Sequence, residues 1–182
     1  NGTTYSFTVS AKNTSTGVEG AQSGAETVTP RYQGPKWYVA ASGGKSLSDT
    51  TTNYDLGSSS SPINHLSNGI EIAAAGDTIV MMKGTHTGSN NRGINEDGNK
   101  SFVIMGDPDY SADQTIMDAG GRDRHFTFDN SEDTTFQIIG LTLYNGKTTT
   151  RGGGSIKLES AAVKLKNGIF KENYSTGGDW SS

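Results

Sequence analysis

Thr135-Phe136-Gln137-Ile138-Ile139-Gly140-Leu141-Thr142-Leu143-Tyr144-Asn145-Gly146 and Ala162-Val163-Lys164-Leu165-Lys166-Asn167-Gly168-Ile169-Phe170-Lys171-Glu172-Asn173 are two copies of one pattern. Phe136 to Val163 spans 27 positions, and so does Leu143 to Phe170. Gly152-Gly153-Gly154 follows the first copy and Gly177-Gly178 the second, while the gap from the last apolar residue to the first glycine shrinks from 9 to 7. The β-prone runs therefore keep their spacing and the turns absorb the variation. A repeat of this length, made of short β runs and polar turns, predicts a solenoid in which each copy covers the apolar face of its neighbour.

Composition agrees. Ile, Leu, Val and Phe together number 31 of 182 residues, with no cysteine and a formal charge of −4. So few apolar residues would suggest disorder if the net charge were high, but it is small. The alternative is to place those residues at strict spacing in a narrow core. The 25 glycines, with abundant Ser, Thr, Asn and Asp, suit many tight turns and argue against helical and coiled-coil classes. No apolar run is long enough for a transmembrane helix, and no basic start with an apolar core marks a signal peptide. Absence of cysteine excludes a disulfide framework. A mildly acidic chain without a basic stripe argues against nucleic acid as partner.

At the start, Tyr5, Phe7, Val9 and Ala11 alternate with Ser6, Thr8, Ser10 and Lys12, the period of a strand with one buried face. Asn13 to Gly24 is turn material, and Glu26-Thr27-Val28-Thr29-Pro30 reads as a second short strand. With Tyr5 at the place of a corner tyrosine, residues 1–31 resemble the last two strands of a fibronectin type III domain. Two strands cannot bury their own apolar face, so this reading expects the remaining strands upstream or from a partner. Residues 32–36, with Gly34-Pro35 inside, read as a linker.

Residues 37–182 are the second unit. Trp37-Tyr38-Val39-Ala40 is β-prone, and residues 45–61 read as a polar surface loop. Ser61 and Pro62 then offer a helix start, Ile63, Leu66, Ile70 and Ala73 or Ala74 share one helical face, and Gly76 offers a left-handed end. Gly76-Asp77-Thr78-Ile79-Val80-Met81-Met82-Lys83-Gly84-Thr85 follows directly. Strand, short amphipathic helix and Gly-Asp-Thr-Ile strand together resemble the N-terminal cap of right-handed parallel β-helix proteins of the pectate-lyase-like kind. Apolar runs then recur from Ile79 to Val103 (24 on) and to Phe126 (23 on). Ile116-Met117-Asp118-Ala119-Gly120-Gly121, the Gly152 triplet and Phe170-Lys171-Glu172-Asn173 resemble the polymorphic outer-membrane-protein type of β-helix repeat. The expected fold is all-β: a right-handed parallel β-helix with a capping helix, preceded by two fibronectin-like strands and running on beyond Ser182. Asn145 and Asn173 are expected to be turn residues whose amides bond along the stack.

Chemistry is sparse. Asp118, Asp123, Asp129, Glu132 and Asp133 cluster in sequence around Arg122, Arg124 and His125. The resemblance to calcium-dependent lyases makes Asp118, Asp123 and Asp129 candidate calcium ligands, since carboxylates on adjacent rungs can supply the oxygens calcium needs. The blander and favoured reading is a turn at Asp118-Ala119-Gly120-Gly121 with residues 122–125 as its solvated flank. His65, His86 and His125 show no zinc spacing, which leaves them packing or solvent roles. Trp37, Tyr38, Tyr144 and Trp180 are candidate sugar-stacking residues, Trp37 being better placed to pack at the domain junction.

No catalytic constellation is present, so a non-enzymatic role is favoured: an extracellular or cell-surface structural or adhesive protein of bacterial type, a stalk or filament segment that contacts polysaccharide or a neighbouring surface protein. The alternative is a polysaccharide lyase or glycoside hydrolase whose active site lies on further coils. A fibre of phage or toxin type is a third and weaker reading.

Overall fold

The computed structural model describes residues 2–51, 53–96, 100–129 and 135–177. The chain opens with β1 (Tyr5–Phe7) and β2 (Glu26–Val28), an antiparallel pair with Tyr5 opposite Val28. It continues through β3 (Lys36–Val39), α1 (Leu66–Ile72), β4 (Thr78–Met81), β5 (Gly84–His86), β6 (Ile94–Glu96) and β7 (Val103–Gly106). Then follow β8 (Thr115–Asp118), β9 (Phe126–Asp129), β10 (Thr135–Ile139), β11 (Thr142–Tyr144) and β12 (Lys147–Thr148). The last are β13 (Ile156–Glu159), β14 (Ala162–Lys166), β15 (Ile169–Lys171) and β16 (Tyr174–Ser175).

The fold is mostly β, and every pairing between strands after β2 is parallel. A first sheet has the order β3-β4-β7-β10-β14, a second β5-β8-β11-β15 and a third β6-β9-β13, with β12 beside β16. From β4 onward the chain visits the first, second and third sheets in turn, three times over, and then returns to the first and second. Parallel neighbours need long crossovers; α1 lies in the one from β3 to β4, and from β4 onward the crossovers are made of strands in the other sheets.

Register turns the apolar pattern into columns. Trp37, Ile79, Ile104, Ile138 and Leu165 lie opposite one another through the first sheet. His86, Met117, Leu143 and Phe170 do so in the second, and Ile94, Phe126 and Ile156 in the third. Ile79, Ile104, Met117, Leu143 and Phe126 are all buried, each such side chain contributing about 1.5–3 kcal/mol of transfer free energy. Phe136 joins the sheets, with its ring 4.7 Å from Phe128 and edge-on to Phe102 at 5.4 Å. At the last pass the columns come into the open: Leu158, Leu165 and Phe170 are about half exposed.

The 27-residue repeat is the observed register: Phe136 faces Val163, Leu143 faces Phe170 and Thr148 faces Ser175. Turns repeat with it. Gly140 and Asn167, 27 apart, have φ of 62° and 52°, and Asn145 and Glu172 both have φ of 55°. A left-handed glutamate costs about 1 kcal/mol, which the pairing on either side offsets. The expected beat from Ile79 to Val103 to Phe126 is displaced, however. Ile79 faces Ile104, and Phe126 belongs to another sheet, opposite Ile94 and Ile156. Spacing along the sequence does not distinguish the next strand of one sheet from a strand of its neighbour.

The helix also differs from its expectation. It begins at Leu66, with His65 rather than Ser61 at the cap position and without a side-chain cap of its own. Ile63 is instead buried beside β3, where its N–H donates to Tyr38 O and its carbonyl accepts from Ala40 N. Tertiary groups satisfy both helix ends. Asn91 Oδ1 accepts from Leu66 N at 2.8 Å, and Lys100 Nζ donates to the carbonyls of Ile70, Glu71 and Ala73 at 2.8–3.1 Å. Local sequence cannot reveal caps that arrive from 25 to 30 residues away. At Gly69 a Cβ would stand 3.1 Å from Val39 Cγ2 and 3.3 Å from Ile79 Cγ2, so a larger residue would push these methyl groups aside by a few tenths of an ångström. Residues 45–61 are not wholly a surface loop, because Leu56 is buried in the same core. On the β1–β2 hairpin, Tyr5, Phe7, Val9 and Val28 are all exposed.

Candidate functional site

The segment that joins the second and third sheets, between β8 and β9, carries most of the charged residues singled out from the sequence. Asp118 ends β8, where its Oδ1 accepts from Gly120 N at 2.7 Å. Asp123 lies in the connection and is exposed, with Oδ1 on Arg124 N at 2.7 Å. Asp129 ends β9, exposed and opposite Glu159. The three candidate calcium ligands thus occupy two different sheets and the link between them, and two of them spend an oxygen on their own turns. Among the described residues no group of three or more acidic or histidine side chains is arranged to hold a metal. Glu132 and Asp133 lie outside the described residues.

Arg124 and His125 depart from the reading of residues 122–125 as a solvated flank. Arg122 and Asp123 are exposed, but Arg124 is only 5% exposed and His125 is fully buried. Arg124 reaches across to the next pass. Its Nη2 donates to Thr148 Oγ1 and Thr150 Oγ1, both at 2.8 Å, and to Arg151 O at 3.2 Å. Its Nη1 is buried without a hydrogen-bond partner. Arg122, Asp123, Arg124, Lys147 and residues 148–150 wall a pocket of about 380 Å³ at this point. Sequence reasoning missed it, and the only signal was parity: Arg124 falls in step with the inward Phe126 and Phe128.

His125 is held by two neighbours. Its Nε2 donates to Met117 O at 2.9 Å, and Nδ1 is 3.1 Å from Ser155 Oγ. Burial pushes its pKa below the ordinary histidine range, against the opposing pull of carbonyl bonds and the Asp118 charge. His86 behaves alike: burial lowers its pKa while Nε2 donates to Met82 O at 2.8 Å. Both are packing histidines, as their scattered spacing implied.

On the outer face of the second sheet, Asp118, Tyr144 and Lys171 form a register column. Tyr144 donates its hydroxyl to Glu172 Oε2 at 2.9 Å, and this bond to a carboxylate raises the phenol pKa. Lys171 Nζ stands 5.7 Å from the Tyr144 ring centre. Below it, Asn173 bonds along the stack as expected, with Nδ2 on Leu143 O and Oδ1 accepting from Gly146 N, both at 2.7 Å.

Of the aromatic candidates, Trp37 is buried, with its indole N–H on Asp77 Oδ2 at 2.7 Å and Tyr32 edge-on at 5.4 Å. That burial removes it from sugar stacking. Tyr38 and Tyr144 are half-buried, and Trp180 lies outside the described residues. Among the described residues no helix is long and apolar enough to cross a membrane. No family model, known protein or solved structure matches this chain. Its own residues must carry the functional reading.

Proposed function

We propose that the chain from residue 37 onward forms a right-handed parallel β-helix closed at its first pass by α1. On this reading the chain is a structural or adhesive segment of an extracellular or cell-surface protein, with the fibronectin-like residues 1–31 as a preceding module and residues 32–36 as linker. The observation that carries it is the constant register of the last two passes: every pair between β10 and β14, β11 and β15, and β12 and β16 is 27 positions apart. Uniform stacking gives length and stiffness from little sequence, and a right-handed path is the one that parallel crossovers take.

Polar side chains face outward over this stack, and their contacts are those of a scaffold. Buried histidines bond to backbone carbonyls, and Asn173 ties one pass to the next. On this reading the protein holds polysaccharide without cleaving it. The test is to incubate the protein with neutral and uronate-containing polysaccharides, with and without calcium, following the absorbance of unsaturated products. Retention of polysaccharide without cleavage is the expected result. Product formation overturns the structural reading in favour of a lyase.

A further inference from the structure

We propose that the pocket floored by Arg124 binds an oxyanion, a carboxylate or sulfate group, in contact with Arg122 and Lys147. The inference gives a ligand chemistry to the surface role above but stands on the geometry of Arg124 alone.

Three observations converge. First, Arg124 is a buried guanidinium whose acceptors are all neutral: two threonine hydroxyls and one carbonyl. Among the described residues the ion pairs are Lys157–Glu159 and Lys171–Glu172, and neither includes it. A charge removed from water in this way is costly unless a counter-charge approaches. The adjacent Asp123 makes no ion pair with the guanidinium; its Oδ1 accepts from the backbone N–H of Arg124 instead.

Second, the pocket itself is cationic within an acidic chain. Arg122, Arg124 and Lys147 line it against the single carboxylate of Asp123, whereas the whole chain carries a formal charge of −4. Third, Nη1 of Arg124 is buried without a partner, beneath a turn that carries no side chain at the nearest point. Gly152, with φ of 101°, lies where a Cβ would come within 3.1 Å of Nη1. Residues 151–153 are exposed, so this turn is the thin cover over the nitrogen. A guanidinium offers a flat fork of donors, which carboxylate and sulfate oxygens match in pairs. The hydroxyls of Thr148 and Thr150 already hold the fork in place from its other side.

The experiment titrates isotope-labelled protein with sodium sulfate and with sodium acetate, chloride keeping ionic strength constant, and follows backbone amide shifts. Saturable shifts confined to residues 121–124 and 147–153 are expected. The double variant Arg122→Gln/Lys147→Gln should bind about tenfold more weakly, as the loss of two partly exposed charge contacts gives. Both residues sit at the surface, so this variant folds even if Arg124→Met does not. Shifts that never saturate, that scatter over the surface, or that persist unchanged in the double variant overturn the proposal. Carboxylated and sulfated polysaccharides are then set beside a neutral one. Tighter binding of a charged polymer than of its free ion places the oxyanion on a sugar chain, and equal binding makes this a small-ion site. Uronate cleavage would sink the structural reading and leave this site standing, whereas absent saturation removes the site alone.

Discussion

Ile138→Ala and Leu165→Ala make a matched pair. The two residues face each other across β10 and β14, and each loses three carbons. Their surroundings differ: Ile138 is 3% exposed and Leu165 is 49% exposed. At Ile138 the lost transfer energy adds to the cavity left among packed neighbours, for about 3 kcal/mol. At Leu165 about half the side chain already meets water and no closed cavity forms, which leaves about 1 kcal/mol. Urea denaturation reads the difference. With a slope near 2 kcal/mol per molar, the midpoints should fall by about 1.5 M and about 0.5 M. Equal losses would refute the reasoning, because Leu165 would then have to be covered as fully as Ile138. An unchanged midpoint for Ile138→Ala would be worse still, since it would remove the column from the core.

Acid should weaken the fold through its histidines. His86 and His125 have pKa values lowered by burial, so the unfolded chain binds protons first, from about pH 6.5 downward. The stability they contribute is complete above that pH and is lost as pH falls through their folded-state values, so urea midpoints should drop from pH 7 to pH 5; a rise over that range would contradict the burial argument. Lys100→Met removes the ammonium that satisfies three carbonyls at the end of α1 and should cost about 1–2 kcal/mol. Urea denaturation measures that loss, and a variant as stable as the parent would mean that water serves those carbonyls equally well.

The last two passes were legible in the sequence because one spacing, 27, is repeated there by every paired strand. Earlier passes were harder to read. Thr78 pairs with Val103, 25 on, whereas Gly84 pairs with Thr115, 31 on, because turns of unequal length intervene between equal strands. In strands such as β8 and β9 alternation is plain, but it does not name the sheet. The helix was foreseen and its start misplaced, since Asn91 and Lys100 cap it from elsewhere in the chain. At the candidate site the limit is of another kind. Arg124 reads as a solvated charge until Thr148 and Thr150 are known to lie on the next pass beside it. Hydrogen bonds between passes depend on register, and register is a property of the assembled stack.

Parallel pairing sets each inner strand of the first sheet between an earlier and a later part of the chain: β7 lies between β4 and β10, and β10 between β7 and β14. A polypeptide is synthesised N-terminus first, so the earlier partner is in place when the later strand emerges. Register is thus handed forward along the chain, and a slip in one strand is inherited by those that pair after it.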